Sequence, residues 1–132
     1  MIFVDSGAWF ALLVPTDSNH SAAVGWSSNN DETLVTTDYV IDETLTLLRA
    51  RGESAKAIAF GTRMFDPKCP VVVHYLSPAE VAGAWQVFHD FADKDWSFTD
   101  CTSKVVMEAL GARAAFAFDQ HFRQFGTVAV LP

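Results

Sequence analysis

Residues 2–15 read Ile2-Phe3-Val4-Asp5-Ser6-Gly7-Ala8-Trp9-Phe10-Ala11-Leu12-Leu13-Val14-Pro15. Ile2-Phe3-Val4 is a short apolar run that ends at Asp5-Ser6-Gly7, and Ala8, Phe10, Leu12 and Leu13 then follow a helical pattern that stops at Pro15. The stretch predicts strand, turn and helix, with a carboxylate at the point where the strand gives way.

The same alternation continues outward. Asp17-Ser18 can cap a helix running to about Asn29, and Leu34-Val35-Thr36-Thr37 is brief and β-branched, as a second strand would be. From Asp38 to Arg51 the apolar positions Val40, Ile41, Thr44, Leu47 and Leu48 recur with helical spacing, and Gly52 supplies the stop. Glu53 to Arg63 is Ala-rich and helical in pattern, and Pro67 and Pro70 break it before the strand Val71 to Tyr75. Ser77-Pro78-Ala79-Glu80 combines an N-cap, a Pro at the first helical position and a Glu three residues on, which predicts a helix through about Phe91. Thr99-Asp100 then opens a helix from Cys101 to Leu110, Ala114 to Phe118 reads as a buried strand, and Thr127 to Leu131 as a terminal one. Strands alternating with helices predict a three-layer α/β/α sandwich around a parallel sheet of about five strands. In such sheets the ligand site lies beyond the carboxyl ends of the strands, at the switch in strand order.

The chain's 132 residues, half of them hydrophobic with eleven Phe and four Trp, suit one domain over 1–132. Charged residues are 19% of the chain and no long segment lacks apolar residues, which argues against disorder. The N-terminus has no basic region and meets an acid at position 5, so a secretory signal is not expected and a cytoplasmic protein is. The longest apolar run, Gly7 to Pro15, falls short of the roughly 20 residues of a membrane span. Cys69 and Cys101 lie far apart and form no C-x-x-C pair, so two reduced thiols are expected.

A net charge of −7 argues against general nucleic-acid affinity. Its distribution is uneven, since Arg49, Arg51, Lys56, Arg63 and Lys68, five of the nine basic residues, are opposed there only by Glu53 and Asp66. That segment is either a local basic face or an ordinary solvated helix surface. Trp9, Phe10, Trp26, Trp85 and Trp96 exceed the needs of one small core, and some of them could form a dimer or partner surface.

Four acids stand where the pattern changes. Asp5 ends the first strand, Asp119 ends the Ala114 to Phe118 strand, and Asp100 opens a helix, although Asp5 and Asp100 each read equally well as a plain helix N-cap. On the third helix Glu43 shares a stripe with Tyr39, Val40 and Leu47, whereas Asp42 shares one with Asp38, Thr46 and Arg49, which look solvated. Glu43 should therefore point inward. Clustered carboxylates repel unless a cation neutralises them or one takes up a proton. Hard oxygen ligands without His or Cys suit Mg²⁺ or Mn²⁺. His20, His74, His89 and His121 show no zinc-ligand spacing and read as structural or exposed.

Val4-Asp5-Ser6-Gly7-Ala8, Tyr39 to Leu48 with Glu43 at its centre, Ser97-Phe98-Thr99-Asp100-Cys101-Thr102-Ser103 and Ala117-Phe118-Asp119-Gln120-His121-Phe122 resemble the four acidic motifs of PIN domains, and most of all those of VapC-type toxins. The resemblance runs from Val4 to about Gly126, with the acids in family order and separation. It implies a Mg²⁺- or Mn²⁺-dependent endoribonuclease held in check by an antitoxin protein, while the surplus aromatics make a homodimer the expected assembly. By motif position Asp5, Glu43, Asp100 and Asp119 take the catalytic roles, Asp5 and Asp100 hold metal most directly, and Ser6 and Thr99 match supporting hydroxyls. Asp95 resembles an acid seen in related sequences and is either a supporting residue of the site or a solvated loop charge. Two rivals stay open. One is a phosphoaspartate-type phosphatase or receiver domain, which also uses an Asp after the first strand but lacks here a second Asp two residues later. The other is a PIN-fold interaction module without catalysis.

Overall fold

A computed structural model describes residues 1–132. Five strands, β1 (Ile2–Val4), β2 (Leu34–Thr37), β3 (Val72–His74), β4 (Ala114–Phe116) and β5 (Ala129–Leu131), alternate with helices α1 (Ser6–Leu13), α2 (His20–Asn29), α3 (Asp38–Ala50), α4 (Ser54–Met64), α5 (Pro78–Asp90), α6 (Phe98–Leu110) and α7 (His121–Gln124). All neighbouring strands pair in parallel, in the order β3-β2-β1-β4-β5. The result is the expected three-layer α/β/α arrangement. Helices cover the central strands on both faces, so their side chains need no polar alternation. Phe3, Val4, Val35, Ala115 and Phe116 are accordingly buried, and Phe122 packs its ring 6.2 Å from Phe3.

The order of strands positions the site. The chain lays β2 and β3 on one side of β1, then returns to place β4 on the other, so the switch point falls between β1 and β4. Asp5 follows β1 at that point, where its backbone N–H donates to the Phe116 carbonyl at 3.1 Å.

Local chemistry explains most boundaries. Thr37 caps α3 by accepting from the Val40 N–H at 3.0 Å, and Gly52, at φ 75°, turns the chain out of the helix as its stop signal requires. Ser77 and Glu80 form the expected reciprocal capping box with Pro78 in the first turn.

Other boundaries move. The strands expected over Val71 to Tyr75, Ala114 to Phe118 and Thr127 to Leu131 pair over three residues each, because a partner strand and not propensity sets where a ladder ends. The helix expected to open at Thr99-Asp100 begins at Phe98, with Ser97 as its cap. Asp38, expected to be solvated, is half-buried and accepts the Leu76 N–H at 3.1 Å, which ties the start of α3 to the segment after β3. Helix α7 is a single short turn beyond the reach of a periodicity argument.

Candidate active site

Asp5 is held from both sides by its own backbone. Its N–H is bound to β4, and its carbonyl accepts the Ala8 and Trp9 N–H groups at 3.1 Å, starting α1. Asp5 occupies the N-cap position of α1, but its side chain makes no capping bond to the helix. The carboxylate is 3% exposed and Oδ1 has no hydrogen-bond partner. Burial, reinforced by the neighbouring Asp100 charge, pushes the Asp5 pKa up to about 7.

Glu43 arrives from α3 on the inward stripe, half-buried, while Asp42 is exposed as the helix phase required. The Ser6 hydroxyl donates to Glu43 Oε1, joining the residue after β1 to the middle of α3. Burial raises the Glu43 pKa, and the charges of Asp100 and Asp119 add to the effect against the hydrogen bonds of Ser6 and Thr99.

Asp100 does not cap α6; it is the third residue of the capping box. Ser97 Oγ accepts the Asp100 N–H at 3.0 Å and Asp100 Oδ2 accepts the Ser97 N–H at 3.0 Å. The capping box thus sets the carboxylate against the crevice, and Asp100 is 5% exposed. Asp119 lies three residues past β4 with a side chain 43% exposed, and its Oδ1 accepts the His121 N–H at 2.9 Å.

These four acids, with Ser6, Ser97 and His121, line one open crevice of about 300 Å³ at the switch point. Asp95 is exposed and lines a different crevice, beside Phe88, Phe91 and Trp96. A larger concavity, about 580 Å³ between α3 and α4, is lined mainly by aliphatic carbon from Leu45, Ala50, Ala57 and Ile58 and has no carboxylate.

The reading of His121 as structural or exposed is incomplete. Its Nδ1 lies 2.8 Å from Asp100 Oδ2 and 3.3 Å from Asp119 Oδ1, and one ligand atom from each of Asp100, Asp119 and His121 falls within 4.8 Å of the others. The one signal for it in the sequence was an imidazole two residues after a strand-end acid. His74 is structural, bound to Glu80 at 2.9 Å.

A parallel sheet in this order, with four carboxylates converging at its switch point, defines the class: the chain belongs to the PIN-domain family, whose match spans residues 2–128. Within that family it is 36% identical over 132 residues, 100% of this chain and 99% of the relative, to the 23S rRNA-specific endonuclease VapC20 of Mycobacterium tuberculosis. The crystal structure of Mycobacterium tuberculosis VapC20, described as a sarcin-ricin loop cleaving toxin, superposes with a TM-score of 0.92 at 31% identity, covering 100% of both chains. FitAcB from Neisseria gonorrhoeae shares the fold alone, with a TM-score of 0.70 at 15% identity over 100% of this chain and 97% of that one.

Proposed function

We propose that this chain is a metal-dependent endoribonuclease that hydrolyses RNA phosphodiester bonds in the crevice of Asp5, Glu43, Asp100 and Asp119, and that it acts as the toxin of a toxin–antitoxin pair in the cytoplasm. The observation that carries the reading is the buried Asp5 carboxylate, with an unpartnered oxygen, among three further acids. An uncompensated buried carboxylate is costly, and a cation is the partner that fits an all-oxygen donor set. Asp5 and Asp100 are the most buried of the four and would hold the metal, with Mg²⁺ the expected ion and Mn²⁺ able to replace it.

When bound, a divalent cation neutralises charge on the phosphate and acidifies the attacking water. The protein's own residues do the placing. Asp5 is fixed by two backbone attachments, Asp100 by the α6 capping box, and Glu43 by the Ser6 hydroxyl. Asp119, the most exposed acid, faces the mouth of the crevice, where it would orient incoming water or RNA. The full-length likeness to an rRNA-specific endonuclease supports RNA as the substrate.

An antitoxin would cover the acidic rim, with an inserted Arg or Lys satisfying the carboxylates that the metal otherwise neutralises. On α5, Trp85 is 57% and Phe88 43% exposed, with rings stacked 6.0 Å apart, an aromatic surface that supports a homodimer contact. The deciding experiment compares RNA cleavage by the intact protein with that by Asp5→Asn and Asp100→Asn. Cleavage that needs Mg²⁺ or Mn²⁺ and disappears in both variants is expected. Equal activity in all three would overturn the reading.

A further inference from the structure

Each oxygen of Asp100 has a different fate. Oδ2 accepts two hydrogen bonds, from the Ser97 N–H at 3.0 Å and from His121 Nδ1 at 2.8 Å, whereas no hydrogen bond engages Oδ1. His121 also reaches the other carboxylate of the pair, through its backbone N–H to Asp119 Oδ1 at 2.9 Å. One residue therefore grips both the acid of α6 and the acid after β4.

The tautomer follows from the neighbours. Nδ1 faces one carboxylate oxygen at 2.8 Å and a second at 3.3 Å. A lone pair directed at two anionic oxygens would be repelled by both, so Nδ1 carries its hydrogen whether the ring is neutral or charged. The side chain is 19% exposed and lines the crevice, and α7 is anchored behind it by the buried Phe122.

We propose that His121 is a positioning residue for the metal site: its Nδ1–H holds Asp100 by Oδ2 and its backbone holds Asp119 by Oδ1, so that the opposite oxygen of each carboxylate is turned to the cation. The inference rests on the metal-dependent reading of the crevice. It assigns His121 an action through the ligands and not a bond to the metal. Groups that orient metal ligands in this way commonly contribute about 10- to 100-fold in metal affinity.

Substitutions at position 121 separate the possibilities, with Mn²⁺ binding followed by the electron paramagnetic resonance of the free ion and by calorimetry. Asn places an amide N–H on the γ-carbon, where Nδ1 sits. Gln places it one carbon further out, near Nε2. Relative to wild type, His121→Ala is expected to bind Mn²⁺ roughly 10- to 100-fold more weakly, His121→Asn to recover most of that loss, and His121→Gln to stay close to Ala. The metal-free melting temperatures of the Asn and Gln variants should agree, which separates positioning from folding. Should His121→Ala fail to fold, the order of Asn over Gln still decides.

Wild-type affinity in all variants would overturn the proposal, and so would affinity kept by Gln and lost by Asn, which would make Nε2 a direct ligand. A wild-type protein that binds no Mn²⁺ would overturn the metal reading itself and this inference with it. Mn²⁺ bound by the wild type, lost in Asp5→Asn and indifferent to residue 121, would overturn this inference alone.

Discussion

At the scale of single residues, Asp5 is the acid of the crevice that the fold buries most deeply, with one oxygen left unpartnered. Asp5 in the folded protein holds its proton to about pH 7, against 3.8 for an unperturbed aspartate. Between those values the folded protein binds a proton that the unfolded chain has released, so metal-free stability falls as pH rises through that window. The full loss is on the order of 4 kcal/mol, at about 1.4 kcal/mol for each pH unit the window spans. In chelator, Asp5→Asn should therefore melt higher than wild type at pH 8 and near it at pH 4, by calorimetry at both pH values. Parallel stability profiles for the two proteins would refute this account of Asp5. On α3, Glu43→Gln should abolish RNA cleavage, whereas Asp42→Asn, at an exposed position, should change stability by under about 0.5 kcal/mol and leave most activity. A reversed ranking in a cleavage assay would mean that the wrong face of α3 serves the site.

At the scale of elements, the start of α6 joins helix stability to site geometry. Ser97 both caps the helix through its hydroxyl and fixes Asp100 through its N–H, so a single turn of backbone sets the helix start and the direction of a carboxylate. Ser97→Ala removes the hydroxyl acceptor and should cost about 1 kcal/mol of stability. It keeps the backbone N–H that Asp100 accepts, so Mn²⁺ affinity should fall less than in Asp100→Asn. Thermal melts and metal titrations on the two variants check this, and a Ser97→Ala protein that loses metal as fully as Asp100→Asn would show that the hydroxyl does more than cap. Glycine acts at the other end of α6, where Gly111 at φ 69° takes the left-handed conformation that ends the helix before β4.

At the scale of the whole molecule, charge is divided. The acids converge at the sheet's switch point, while Arg49, Arg51, Arg63 and Lys68 are exposed around α3 and α4 on a chain of net charge −7. A cation that binds the folded crevice and not the unfolded chain stabilises by mass action, by about 2.7 kcal/mol at a concentration 100 times its dissociation constant. Millimolar Mn²⁺ should therefore raise the melting temperature by several degrees in wild type and much less in Asp5→Asn. A melting temperature indifferent to Mn²⁺ in both proteins would exclude a metal site. In cells, expression of the chain alone should arrest growth, and co-expression of an adjacent small open reading frame should relieve the arrest. The acidic rim would speed capture of a basic inhibitor segment at low salt. Growth unaffected by folded, metal-loaded protein would end the toxin assignment and leave a general PIN nuclease.

The alternation of short apolar runs with helical periodicity determined the α/β class from the sequence by itself. Strand-end acids and the phase of α3 were equally legible, because both depend on local spacing: Asp5 follows three apolar residues, and Glu43 falls on the same helix face as Val40 and Leu47. Three things were decided only in the tertiary structure. Strand length was one, since β4 stops at Phe116 where its pairing with β1 and β5 ends, two residues before the apolar run does. The capping role of Ser97 was another, because Thr99-Asp100 and Ser97 are both plausible caps until the chain's direction into α6 chooses between them. The third was His121, whose contact with Asp100 spans 21 residues and joins α7 to the first turn of α6. Local spacing carries the backbone's own preferences, whereas contacts between distant residues depend on which strands pair, and no window of sequence contains that information.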